Sequence, residues 1–261
     1  MKPRLATLWL ALLPAAPCLG QTRPLQTEEA STARRGTVML EVGGDIIGDE
    51  PNFLTGGTRT VLEGPELRVV WSPADNVEVD LEWVARVAAL NDPDFGDVAD
   101  WGDVTLRAKM RLREGRDGGL GVAARFGVTL PQTSYGNGLG PNTLRSSAQL
   151  LLSKCGGSLC VHGNAGLAIH DEPERPHEQQ DFLHYGLALV LRPWSPFQVV
   201  AEVAGLAGDG APGADAHGEV RAGARWQRGS VRWDAAVRRG LAAADGEWGV
   251  TLGLAWTIAG S

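Results

Sequence analysis

The sequence predicts an all-β chain, a 12-stranded antiparallel up-and-down transmembrane β-barrel with a polar lumen, on three observations. Apolar residues alternate with polar or charged ones through most of the chain. The connections between these stretches alternate short and long. A secretory-type segment precedes them all. Successive side chains of a strand point to opposite faces, so period-two alternation gives each strand one apolar and one ionic face. Lipid admits only segments that satisfy their own backbone groups, and for strands this means a closed barrel. A soluble β-sandwich alternates in the same way. It has no reason for alternating connection lengths, and its core would need more large side chains than the many Ala and Gly here supply.

Residues 1–20 read as a signal peptide. Lys2 and Arg4 form its basic start, Leu5 to Leu13 its apolar stretch, and Cys18 and Gly20 allow cleavage before Gln21. The apolar stretch is too short to span a bilayer as a helix. Residues 21–35 are polar and are expected as a disordered leader, and the barrel is expected over 36–261.

Twelve strands are expected, at 37–47, 58–71, 77–88, 103–114, 119–130, 143–154, 158–170, 181–192, 196–206, 218–228, 230–240 and 247–258. The third shows the pattern: Val77, Val79, Leu81, Trp83, Ala85 and Val87 interleave with Glu78, Asp80, Glu82 and Arg86. In the fourth, Val104, Leu106, Ala108, Met110 and Leu112 interleave with Thr105, Arg107, Lys109, Arg111 and Arg113. The second breaks phase at Gly64-Pro65, as a bulge would cause. Ser72–Asn76, Glu114–Gly118, Gly156-Gly157, Pro193–Ser195 and Arg228-Gly229 are short connections. Those near 48–57, 89–102, 131–142, 171–180 and 207–217 are long, and 241–246 is intermediate. Short periplasmic turns opposite longer extracellular loops are the outer-membrane arrangement, and an even strand count places both chain ends in the periplasm.

Trp71, Trp194, Trp226, Trp233 and Trp256 fall near the expected periplasmic rim, and Trp101 and Trp248 near the opposite one. Amphipathic rings at the two interfaces form an aromatic girdle. Cys155 and Cys160 bracket a Gly-Gly turn and suit a hairpin disulfide in an oxidising compartment. As metal ligands they lack company, because His162 alone does not complete a tetrahedral site.

The lumen would receive Glu78, Asp80 and Glu82 opposite Arg107, Lys109, Arg111 and Arg113, with Arg125, Arg221 and Arg225 further around. Glu41, Asp45, Glu202, Arg232, Asp234 and Arg238 share the inward phase. The protein carries a formal charge of -7, yet these inward positions lean positive. The acidity therefore concentrates in the loops and leader, at Asp49, Glu50, Asp92, Asp94, Asp97, Asp100, Asp171, Glu172 and Glu174. A basic lumen would select anions. Alternatively the charges neutralise one another and fill the narrow interior, leaving little pore.

Other chemistry is weakly signalled. His162 and Asn164 share one face, with His170 and His184 nearby, but no serine is obviously placed to make a nucleophilic site. No paired-carboxylate or Gly-x-Ser-x-Gly pattern occurs. His170 and His177 lie among Asp171, Glu172 and Glu174 without a fixed ligand geometry. Loop 131–142 reads as a surface loop whose glycines would also let it fold inward as a constriction. No catalytic residue, cofactor or metal site is assigned, and the net charge excludes a nucleic-acid binder.

Several strings carry a family resemblance: Glu66-Leu67-Arg68-Val69-Val70-Trp71-Ser72, Gly102-Asp103-Val104-Thr105-Leu106-Arg107-Ala108-Lys109, Gly127-Val128-Thr129-Leu130-Pro131, Arg238-Arg239-Gly240-Leu241 and Gly253-Leu254-Ala255-Trp256. In their order and spacing, from about residue 36 to 258, they resemble the outer-membrane transporter family labelled for the MetA pathway of phenol degradation. Barrel chains of this kind usually end on an aromatic residue, whereas this one ends Trp256-Thr257-Ile258-Ala259-Gly260-Ser261. The resemblance implies an outer-membrane barrel, in some members encoded beside degradation pathways for aromatic compounds. The expectation is a passive outer-membrane channel for small solutes, aromatic or anionic. A closed barrel serving as scaffold or receptor is the alternative, and a lipid-modifying enzyme a more distant one. Its expected partners are outer-membrane lipid, a small-molecule solute and the barrel-assembly machinery.

Overall fold

A computed structural model describes residues 23–175, 177–208 and 215–258. The expected signal peptide and Cys18 lie outside the described residues, as does much of loop 207–217. Among the described residues the alternating segments form fourteen strands. These are β1 (Val38–Pro51), β2 (Thr58–Ala74), β3 (Val77–Val84), β4 (Val87–Asp92), β5 (Gly96–Asp100), β6 (Val104–Arg113) and β7 (Leu120–Leu130). They continue as β8 (Arg145–Gly156), β9 (Leu159–Asp171), β10 (Gln179–Trp194), β11 (Phe197–Ala207), β12 (His217–Arg228), β13 (Val231–Gly240) and β14 (Trp248–Ile258).

Twelve of these strands form one closed antiparallel wall, in the order β1, β2, β3, then β6 through β14. The wall closes where β14 pairs with β1, from Val38↔Ile258 to Gly48↔Trp248. Closure leaves no unpaired edge along the cylinder, which is what lipid requires of a sheet. A stacked sandwich is excluded by this closure.

The remaining two strands correct the expectation for 77–88 and for loop 89–102. The expected third strand stops at Val84, and the chain resumes as β4, which pairs with residues Thr60 to Glu63 of β2. β5 folds back on β4 as a hairpin. Val87 and Ala89 of β4 are buried with Ile47 and Val61, so a small apolar patch seats the hairpin on the extracellular end of β2.

The break expected at Gly64-Pro65 is a bulge. Asp45 pairs with Glu63, while Gly43 pairs with Glu66. One extra residue in β2 therefore brings both Glu63 and Glu66 to the lumen. Gly64 sits at φ 148, and a Cβ there would lie 3.3 Å from the Gly44 Cα. Only glycine takes that backbone without strain.

Outside, Leu106, Phe126, Leu167, Leu187, Val237 and Leu252 are all more than half exposed, whereas Glu41, Arg68, Asp80, Lys109, Arg232 and Asp234 are buried inside. This inverts a soluble domain, in which buried charges are rare, and it fits lipid outside and ions within. Trp71, Trp194, Trp233 and Trp256 are exposed on the outer wall beside the short turns. Trp226 stacks on Trp233 at 4.7 Å between ring centroids. Trp248 lies at the other rim, where its indole N–H donates to Asp49. Trp101 stacks on Trp83 there, at 5.5 Å. Cys155 and Cys160 face each other across the β8–β9 turn and are joined by a disulfide.

The occupied lumen as candidate functional site

Of the stretch expected as a disordered leader, residues 23–33 instead follow a fixed path inside the barrel. From Thr37 at the periplasmic end, the chain runs up the lumen to Arg23, and Ala30, Ala33, Thr27 and Glu28 are buried. A polar sequence finds a fixed path here because the lumen is lined with complementary polar groups that pair with its main chain and charged side chains. The backbone N–H groups of Gln26 and Thr27 donate to the two oxygens of Glu202, at 2.7 and 2.8 Å. Ala30 N–H donates to Ser153 Oγ at 2.8 Å, and Ala33 N–H to Glu78 at 2.6 Å. The Asn164 amide pairs with both the N–H and the carbonyl of Glu28, at 2.8 and 2.9 Å. Pro24 and Arg23 carbonyls accept from Arg221 and Arg225, at 2.9 and 2.8 Å.

Charge complementarity runs along the same path. Arg23 enters an acidic region and pairs with Glu66, with Asp234 at 3.6 Å. Glu28 enters a basic region, between Arg125 at 2.7 Å, Lys109 at 3.1 Å and Arg68 at 3.7 Å. The leader thus supplies a local counter-charge of each sign, Arg23 to the acidic region and Glu28 to the basic one.

The wall residues also pair among themselves. Arg107 bonds Glu82 at 2.8 Å and Asp80 at 3.0 Å. Lys109 pairs with Glu78, and Arg68 bonds Asp80 at 2.9 Å. Arg232 reaches Glu41 at 3.0 Å, and Arg238 reaches Glu219 at 2.9 Å. Arg221 pairs with Glu219. Arg111 sits at the periplasmic end, donating to the Asp75 carbonyl at 2.9 Å. Arg113 does not belong to the lumen. A bulge after Arg111 puts it in register with Val122, out of the inward phase, and it is exposed at the rim.

Above the leader a cavity of about 460 Å³ opens toward the extracellular side. Asp45, Glu63 and Glu66 form one flank, and Arg107, Arg125, Arg145, His170 and His184 the other. Arg145 is held by Asp103, and His184 Nδ1 shares a 2.7 Å hydrogen bond with Gln149.

Loop 131–142 is pinned inward rather than lying free on the surface. Buried Arg59 donates to the Gly138 carbonyl at 2.5 Å and bonds Asp92 at 3.2 Å. Asn52 donates to the same Asp92 at 2.9 Å. Leu139 packs on the apolar patch that seats β4. The loop therefore narrows the mouth. Its anchor Arg59 carries no signal beyond an inward phase that the bulge at Gly64 obscures.

The histidine fragment also resolves. Ser153 stands directly across the ladder from His162, with Oγ 2.8 Å from Nδ1, so a serine is placed after all. Its hydroxyl already accepts from Ala30, and Asn164 is spent on Glu28 rather than on orienting His162. The pair reads as part of the leader's seat. Cross-strand register, which sequence phase alone does not supply, would have found it.

No family model matches the sequence, and no curated protein matches it. Solved structures similar in shape include an outer-membrane channel from Pseudomonas putida F1, with a TM-score of 0.64 at 16% identity, covering 88% of this chain and 98% of that one. Others are LpxR from Salmonella typhimurium, TM-score 0.49 at 10% identity over 84% and 99% of the two chains, and the β domain of the Bordetella autotransporter BrkA, 0.49 at 13% over 85% and 99%. At 16% identity the likeness to the Pseudomonas channel is one of fold. With a closed wall, an apolar exterior and that shared architecture, the chain is a twelve-stranded β-barrel of the outer membrane of a Gram-negative bacterium.

Proposed function

We propose that the protein is a passive outer-membrane channel for small polar solutes, anions above all, kept occluded by its own leader. The observation that carries this reading is how the leader is held. Between Arg23 and Thr37 it is bound by hydrogen bonds and ion pairs to a wall that is already closed without it. Such contacts can be replaced by water or by a solute's own polar groups when the leader withdraws, because the wall needs no leader residue to close. The Pseudomonas relative of similar fold is described as a channel, which agrees with this reading. Among solutes, the basic flank above the leader favours an anion. An aromatic solute, which the phenol-degradation resemblance implies, has less support, because the tryptophans at the rims line the outer wall.

The test is planar-bilayer recording of the full chain beside a variant lacking residues 23–35. The full chain should give small, intermittent currents, and the deletion should raise conductance several-fold with a reversal potential displaced toward chloride. A deletion variant that runs as a folded, heat-modifiable band yet passes no current would contradict the channel and favour a closed scaffold or receptor. We assign no catalysis. Turnover of phospholipid or lipopolysaccharide that His162→Ala abolishes would overturn that assignment.

A further inference from the structure

The place where Glu28 meets the wall has the make-up of a ligand site. Its carboxylate lies 2.7 Å from Arg125, 3.1 Å from Lys109 and 3.7 Å from Arg68. All three basic side chains are at least nine-tenths buried. Without Glu28 their wall partners are unequal. Arg68 keeps Asp80 at 2.9 Å and Glu41 at 3.4 Å, and Lys109 keeps Glu78. Among the described residues Arg125 keeps only Asp80, at 3.9 Å. A buried cation without a close counter-ion is strongly disfavoured, so withdrawal of Glu28 creates a demand for an anion at that point.

We infer that Arg125, Lys109 and Arg68 form a carboxylate-binding site in the lumen, with the chain's own Glu28 as resident pseudo-ligand, and that a small organic monocarboxylate takes its place when the leader moves. The cavity of about 460 Å³ above the leader is lined by both Arg68 and Arg125, which gives such an acid a route from outside. Its volume suits an acid of modest size. Arginine's planar fork matches two carboxylate oxygens, and a lysine beside it adds a point charge. The inference deepens the channel reading and takes its physiological sense from it, but binding at this site requires no flux.

The experiment uses the full chain carrying Glu28→Ala, folded in detergent, with sodium acetate and sodium benzoate as probes against sodium chloride and phosphate at equal ionic strength. The temperature at which the heat-modifiable band is lost is read in each salt. Acetate and benzoate should raise it in Glu28→Ala by several degrees, saturating in the millimolar range. The wild type should respond at least tenfold more weakly, and Glu28→Ala with Arg125→Gln should not respond. Should Glu28→Ala fail to fold, Glu28→Ser, which also vacates the site and keeps the main-chain contacts to Asn164, takes its place. No carboxylate response in a folded Glu28 variant, or an equal response in wild type, overturns the site. Stabilisation by chloride or phosphate as strong as by acetate overturns the ligand class. No current is measured, so failure here leaves the channel reading standing, and a silent bilayer leaves this site untouched.

Discussion

Arg59, Asp92 and Asn52 tie three extracellular segments together at one buried point, and their chemistry makes two predictions. Removing one partner of a buried ion pair strands the other, at a cost on the order of 3 kcal/mol. Asp92→Asn should therefore raise the open population of loop 131–142 roughly a hundredfold, seen as proteinase K cleavage within that loop at neutral pH. An unchanged cleavage rate would show that the loop is held elsewhere. Burial pushes the Asp92 carboxyl up. The hydrogen bonds from Asn52, from the Asp94 and Phe95 N–H groups and from Arg59 outweigh it and bring it down to about 2. A carboxyl whose folded pKa is lowered stabilises fully above its unfolded value, near 4, and loses that contribution as pH falls toward the folded value. Hydrogen–deuterium exchange should find the loop equally protected at pH 7 and pH 5, with protection lost between about pH 4 and pH 2. Loss near pH 6 would contradict this. At this scale the sequence shows direction but not partnership. Period two sends Asp80, Arg107 and Lys109 inward, while the choice of Glu82 for Arg107 and of Glu28 for Lys109 depends on register and on a segment without periodicity.

The leader is the element that sequence reasoning reads least well. Residues 23–37 have no alternation, no cap and few large apolar side chains, and in isolation such a stretch cannot offset the entropy of ordering. Its order comes from a scaffold that exists only once the barrel closes. The hairpin β4–β5 hides for a related reason, because its seat on β2 is made by a bulge. The twelve wall strands, by contrast, are legible to within a few residues, since each has a lipid-facing stripe. Glu202 holds two leader N–H groups, and hydrogen bonds to a charged group contribute about 1.5–3 kcal/mol each. Glu202→Gln should therefore speed amide exchange at Gln26 and Thr27 by more than tenfold while β11 and β12 stay protected. Equal exchange in the two proteins would place the leader's hold elsewhere.

Across the whole molecule, the apolar belt and the tryptophans at the short-turn rim set the depth at which the barrel sits. Tryptophan emission should be quenched strongly by lipids brominated near the headgroup and weakly by aqueous iodide. Strong iodide quenching of folded protein in vesicles would mean that the outer wall is wet. Inside, Arg23 and Glu28 of the leader each meet wall groups of opposite charge, so the leader is both plug and counter-ion. That claim is tested most directly by a crosslink. A Cβ at Gly121 would lie 3.7 Å from the Ala30 Cβ, close to the ~3.8 Å typical of a disulfide. In intact outer membranes under mild oxidation, Ala30→Cys with Gly121→Cys should give a single crosslinked peptide and a channel that stays shut until reductant is added. Two thiols that never join, and that both react freely with a water-soluble maleimide in the folded barrel, would contradict it.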